Sequence, residues 1–180
     1  MGATLTDQVR KLVDDCAAAA SGEAVARLTA ARDRLDEPLR VAIVGKVKAG
    51  KSTLLNALVG EPLAPTDAGE CTRIVTWYRE GVTYGVTMTP RNAPPRAARF
   101  QRVATALDVD LDGLTPDDVE RLDVQWPSSA LHDMTLIDTP GLGSLTAELS
   151  EQTRLVVAPD DEEPGEADAV LYLMRHMHAD

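Results

Sequence analysis

Gly45-Lys46-Val47-Lys48-Ala49-Gly50-Lys51-Ser52 packs two glycines, three lysines and a hydroxyl into consecutive positions. It matches G-x-x-x-x-G-K-[ST] at every fixed position. The glycines let the backbone fold closely around a phosphate chain with its N–H groups turned inward. A helix starting there adds the positive end of its dipole. In such a cradle Lys51 reaches the β- and γ-phosphates, Ser52 offers its hydroxyl to Mg²⁺, and Thr53 follows on the same helical turn. The alternative, a glycine-rich turn without a ligand, has no need of a strand before it and a helix after it, and both are predicted here.

A second constellation lies downstream at Leu136-Ile137-Asp138-Thr139-Pro140-Gly141. An apolar strand that ends in Asp138 can hold Mg²⁺ through a water, and the Gly141 amide can meet a γ-phosphate. Asp-Thr-Pro-Gly alone also suits an ordinary turn. Paired with the upstream loop it points to a GTPase rather than a kinase or a general ATPase. A γ-phosphate sensor is expected between the two elements. Thr72 is the first candidate, through its hydroxyl on the metal and its carbonyl on the attacking water. Thr66 comes next, and Thr76 falls inside a strand. The metal set expected is thus Ser52, Thr72 and Asp138, with Lys51, Thr72 and Lys48 as the catalytic candidates.

These residues need a scaffold. Residues 39–44 read as a strand buried on both faces, and 52–59 as a helix ending at Gly60. The stretch 61–73, with two prolines and turn-prone Asp and Gly, reads as a loop. Residues 74–79 and 82–89 read as two strands joined at Glu80-Gly81 in a hairpin. The basic, proline-rich stretch 90–102 reads as a solvated excursion, and Thr115-Pro116 as a helix start. Residues 122–126 and 134–137 are further strands, 145–157 a short helix, and 169–174 a last apolar strand. Upstream, residues 4–36 read as helix interrupted at Ser21-Gly22, closed by Pro38. The expected architecture is α/β: a phosphate-loop NTPase domain over 39–180, preceded by an N-terminal helical segment over 1–38.

Composition narrows the function classes. Net charge is −11 and the pI about 4.7, which argues against a nucleic-acid binder working through a basic face. Aromatics are 3% of residues, so Ala, Val and Leu must build the core. No stretch is long and apolar enough to span a bilayer, and the N-terminus lacks the apolar region of a signal peptide. Cys16 and Cys71 have no metal-ligand spacing and read as reduced thiols of a cytoplasmic protein. His176 and His178 alternate as in an extended segment and make a poor metal pair.

Taken together, G-K-V-K-A-G-K-S-T-L-L-N-A-L, P-T-D-A-G-E-C-T, D-T-P-G-L-G and A-D-A-V-L-Y-L-M resemble the GTPase domain of bacterial dynamin-like proteins. In detail the chain is similar to the actinobacterial members related to the isoniazid-inducible proteins. The resemblance covers about residues 40 to 180 and implies GTP as substrate, Mg²⁺ as cofactor and GDP as product. It further implies pairing of G domains with a second copy or a related chain. Residues 1–38 would then be a helix of the bundle that precedes the G domain. Membrane remodelling would follow through lipid-binding parts outside these residues, with peripheral association at the inner face of the cell membrane. Lys51 and Asp138 stand 87 positions apart, room for an insertion in the sheet of the dynamin kind.

Three departures matter. Leu142 stands where Ras-like proteins carry the glutamine that orients water, and an apolar side chain cannot do that. Val47-Lys48 replaces the polar Gln-Ser of animal dynamins, so Lys48 is expected to supply charge in place of a bound monovalent cation. No [TN]-K-x-D sequence, the source of guanine selectivity, occurs in these residues, and the chain is expected to be the front part of a longer protein. Two other readings stay open: a nucleotide-binding switch or truncated regulatory module that scarcely hydrolyses, and an Era-like GTPase of ribosome assembly. The long spacing and the acidic balance disfavour the second.

Overall fold

The computed structural model describes residues 4–65, 73–103, 106–141, 153, 156 and 166–174. Two compact units divide the chain, residues 1–38 and 39–180. In the first, α1 (Leu5–Ala19) and α2 (Glu23–Arg34) pack against each other. Thr4 caps α1 and shares a reciprocal capping box with Asp7, which satisfies amides that the first turn leaves over. The pair is tied by Arg32 to Asp14 at 2.6 Å and by Arg10 to Asp36. No residue of either helix is buried, so contact along one amphipathic face holds the unit together.

Among the described residues the second unit holds a seven-stranded mixed sheet in the order β4-β3-β7-β2-β8-β1-β9. Its strands are β1 (Leu39–Gly45), β2 (Val75–Glu80), β3 (Gly85–Pro90), β4 (Arg96–Ala97), β7 (Val119–Trp126), β8 (Met134–Asp138) and β9 (Ala169–Leu173). β1 lies parallel to β8 and β9, β2 parallel to β7, and β2 antiparallel to β8. A separate ribbon pairs β5 (Phe100–Val103) with β6 (Ala106–Val109). The helix α3 (Lys51–Val59) follows β1.

The period-two side-chain alternation of strands divides the core. Val41 and Ile43 of β1, Leu136 of β8 and Leu122 and Val124 of β7 join Leu55 and Val59 of α3 on one face. Ala42, Val44, Val75, Trp77 and Ile137 form the opposite cluster. Burying each large apolar side chain contributes about 1.5–3 kcal/mol. Trp77, among the largest of the buried side chains, also has the guanidinium groups of Arg40, Arg79 and Arg121 within 4.6–5.4 Å of its ring.

The expected hairpin of β2 and β3 does not form. β7 sits between them, paired to β2 on one side and antiparallel to β3 on the other. Residues 81–84 instead bridge the roughly 10 Å over an intervening strand. Gly81 caps that strand's end by donating to the Trp126 carbonyl at 3.1 Å. β7 gains the central place because Leu122, Val124 and Trp126 are all buried on one face.

Other elements are adjusted rather than overturned. The basic stretch 90–102 is largely exposed but contributes β4 and β5. Thr115 and Asp118 form a capping box around one 3₁₀ turn, Pro116–Asp118, which passes directly into β7. Thr66, Cys71, Thr72, Leu142, His176, His178 and most of the expected helix over 145–157 lie outside the described residues.

Candidate functional site

β1 ends at Gly45, and the chain turns through Lys46, Val47, Lys48 and Ala49 before α3 begins at Lys51. The Ala49 amide donates to the Lys46 carbonyl at 3.0 Å, closing the turn. Gly50 has φ +98° and leads straight into the helix, its carbonyl accepting from Leu54 at 2.9 Å. A left-handed residue at that joint is what glycine permits without a Cβ penalty. Lys48 adopts φ +62° as well, a conformation that costs a non-glycine residue about 1–2 kcal/mol. The loop therefore holds strain at the position whose side chain the sequence singles out for charge.

Lys51 folds back over the loop, its Nζ donating to the Gly45 carbonyl at 3.4 Å. Burial pushes its ammonium below the ordinary lysine value, and the Asp138 carboxylate works the other way. Ser52 donates to Asp138 Oδ2 at 3.4 Å. Asp138 ends β8, in register with Ile43 of β1 and with Thr76 of β2. Thr139 fixes the exit, its hydroxyl donating to the Ile43 carbonyl at 2.9 Å.

Burial raises the Asp138 carboxyl from 3.8 to about 6, against the opposing pull of Lys51, Ser52 and the Thr139 amide. Its second oxygen, Oδ1, is buried and has no hydrogen-bond partner among the described residues. An orphaned, desolvated carboxylate oxygen is costly unless a further donor or a cation uses it. A carboxylate and a hydroxyl are the hard oxygen ligands that Mg²⁺ prefers, with waters and phosphate completing its octahedron. Among the described residues no group of three or more His, Cys, Asp or Glu could hold a metal by itself. A metal here therefore fits one that shares its coordination with a phosphate.

Gly141 closes the site from the other side. A Cβ on it would fall 2.7 Å from Val47 Cγ2 and 2.9 Å from Val47 Cα, so glycine is what lets the Asp-Thr-Pro-Gly turn lie against the loop. Gly45 is held in the same way, since a Cβ there would lie 2.5 Å from the Leu173 carbonyl oxygen of β9. The fold thus assembles Gly45 through Ser52, Asp138 and Gly141 in one place. Thr53 lies beside them, exposed on the first turn of α3. Thr76 is buried in β2 and spends its hydroxyl on the Ile74 carbonyl at 3.2 Å. Sequence reasoning passed over Thr139, whose anchoring bond has no spacing signature.

The sequence profile of the dynamin family matches residues 41–178. The chain belongs to the dynamin family. It is 44% identical over 158 residues to the isoniazid-induced protein IniC of Mycobacterium tuberculosis, covering 88% of this chain and 32% of that one. IniA of the same organism is 35% identical over 136 residues, 69% of this chain and 20% of the relative. The bacterial dynamin-like protein of Nostoc punctiforme is 32% identical over 120 residues, 60% of this chain and 17% of its own length. The chain thus spans about a third or less of these dynamin relatives. A solved oligomerised bacterial dynamin pair, described as providing a mechanism for long-range sensing and tethering of membranes, has the same fold. Its TM-score is 0.57 at 18% identity, over 96% of this chain and 26% of that chain.

Proposed function

We propose that this protein is a Mg²⁺-dependent GTPase whose nucleotide cycle serves membrane remodelling or maintenance. The observation that carries the reading is the meeting of the Gly45–Ser52 loop with Asp138 and its unmatched Oδ1. The amides of the loop bind the phosphates. Lys51 holds the β- and γ-phosphates, while Ser52 and Asp138 would hold Mg²⁺, which neutralises charge on the phosphates when bound. Thr72 is proposed as the remaining metal and water-orienting residue, and Gly141 as the amide donor to the γ-phosphate. Lys46, Val47, Ala49, Gly50 and Thr53 complete the cradle, and Lys48 adds positive charge at its rim.

Residues 1–38 are proposed as a helical bundle segment and 39–180 as part of the G domain. Family membership supports GTP and GDP as ligands and a second copy or related chain as partner across the nucleotide. Such pairing would supply what Leu142 cannot. Among the described residues no helix is long and apolar enough to cross a membrane, so contact with lipid is proposed as peripheral, from the cytoplasmic side. No nucleic-acid role is proposed for a chain of net charge −11.

A second reading, a switch that binds nucleotide and scarcely hydrolyses, is favoured by Leu142 at the glutamine position. Phosphate release from GTP by the full-length protein separates the two. Turnover that rises with protein concentration or with anionic liposomes supports the enzyme. Tight GTP binding with no release under any of these conditions supports the switch.

A further inference from the structure

Asn56 stands one helical turn beyond Ser52 on α3, so the two side chains share a face of the helix. Ser52 reaches Asp138, and Asn56 reaches the segment that follows the helix. Its Nδ2 donates to the Ala64 carbonyl at 2.8 Å. Its Oδ1 accepts from the Leu63 and Ala64 amides at 2.9 and 2.7 Å. The fourth backbone group, the Leu63 carbonyl, accepts from Leu107 of β6 at 2.9 Å. Leu63 and Ala64 are fully buried, and three of their four backbone hydrogen bonds go to one side chain.

That placement has a direction. Leu63 and Pro65, with Leu107 and Val109 of β6, line one small crevice together with Thr76 and Asp138. Asparagine in a helix interior costs up to about 0.7 kcal/mol against alanine, and here the side chain serves the loop rather than the helix. The helix that carries Lys51 and Ser52 therefore also carries the clamp on the wall beside Asp138.

We propose that Asn56 is a positioning residue for the γ-phosphate side of the site. It touches neither nucleotide nor metal. It locks Leu63–Pro65 to α3, so that the wall next to Asp138 stays in register with Ser52. The proposal rests on the GTPase reading. GDP is held by the loop amides, which Asn56 does not contact, whereas GTP and its hydrolysis need the Asp138 side in place.

The test compares Asn56→Ala and Asn56→Asp with the wild type in the full-length protein. The readouts are GTP turnover, GDP affinity by titration and melting temperature. Asn56→Asp keeps the acceptor for both amides but sets a second carboxylate oxygen against the Ala64 carbonyl in place of the donor, and it carries the test should Asn56→Ala fail to fold. The expected result is GDP affinity within about threefold of wild type and kcat for GTP lowered about tenfold or more in Asn56→Ala, with Asn56→Asp between. Turnover at the wild-type rate in a variant with a lowered melting temperature would reduce Asn56 to a structural tie and overturn the proposal. Equal losses for GDP and GTP would also overturn it, since they would place the effect in α3 as a whole. Either of these outcomes in the variants, with a wild type that binds GDP, leaves the GTPase reading standing, while a wild type that binds no guanine nucleotide removes both.

Discussion

The Ser52 hydroxyl lies 3.4 Å from Asp138 Oδ2, although 86 positions separate the two in the chain. The parallel pairing of β1 and β8 brings them together, by setting Ile43 opposite Asp138 just before the loop begins. At that length the hydrogen bond is weak, and the pair is better matched as joint oxygen ligands than as partners of each other. The same geometry leaves Oδ1 buried and without a partner among the described residues, which makes the acid a liability to the fold that the proposed cation would relieve.

That liability predicts a pH dependence. Asp138 has its carboxyl at about 6 in the folded chain, against about 3.9 when unfolded. Between these values the folded state keeps a proton that the unfolded chain has released. Stability from this group is therefore complete below about pH 4 and is lost as pH rises through about 6, by on the order of 3 kcal/mol. Asp138→Asn should melt several degrees above wild type at pH 7.5 without nucleotide and Mg²⁺, while losing Mg²⁺-dependent nucleotide binding. A variant that melts at or below wild type at that pH would contradict the buried, unpaired carboxylate.

Gly141 is predicted to tolerate no side chain. In Gly141→Ala the new methyl meets the Val47 backbone nitrogen at 3.0 Å as well as the side chain. Overpacking of this kind costs about 1–3 kcal/mol, and if the loop shifts to relieve it, nucleotide binding must restore the loop at a loss of about 5- to 150-fold in affinity. Trimming Val47 to alanine in the same protein should not restore affinity, because the backbone contact remains. Recovery on titrating the double variant would locate the conflict in the Val47 side chain alone.

Lys48 separates charge from strain. Lys48→Gly removes both the ammonium and the left-handed penalty, so it should be more stable than Lys48→Ala by about 1 kcal/mol. Both variants are expected to lose turnover and to become responsive to potassium, which would then supply the missing charge. If Lys48→Ala hydrolyses GTP at the wild-type rate with an unchanged response to potassium, the lysine has no part in the chemistry.

The turn from Gly45 to Ser52 between β1 and α3 was legible in the sequence because its glycines and the helix start that follows an apolar strand stand at fixed spacings. Asp138 was legible because its strand runs apolar up to the acid. The order of strands was not. Glu80-Gly81 carries the local turn signal of a hairpin, but nothing nearby records that β7, some 40 residues on, takes the central place. Ala106–Val109 is too short to register as a strand until the buried Leu107 and Val109 are placed against the sheet. Asn56 was hidden for a different reason. Inside a regular helical pattern a polar residue reads as a solvated position, and only the returning chain at Leu63–Ala64 gives it partners.

Titration of GDP and a non-hydrolysable GTP analogue into the full-length protein and its Lys51→Ala variant, with and without Mg²⁺, addresses the central claim most directly. The account predicts that wild type binds both ligands, the GTP analogue more tightly when Mg²⁺ is present. Lys51→Ala should keep its fold and lose about 10- to 100-fold in affinity for the analogue. Equal binding by wild type and variant, or binding indifferent to Mg²⁺, would mean that the meeting of Gly45–Ser52 with Asp138 is not a triphosphate site.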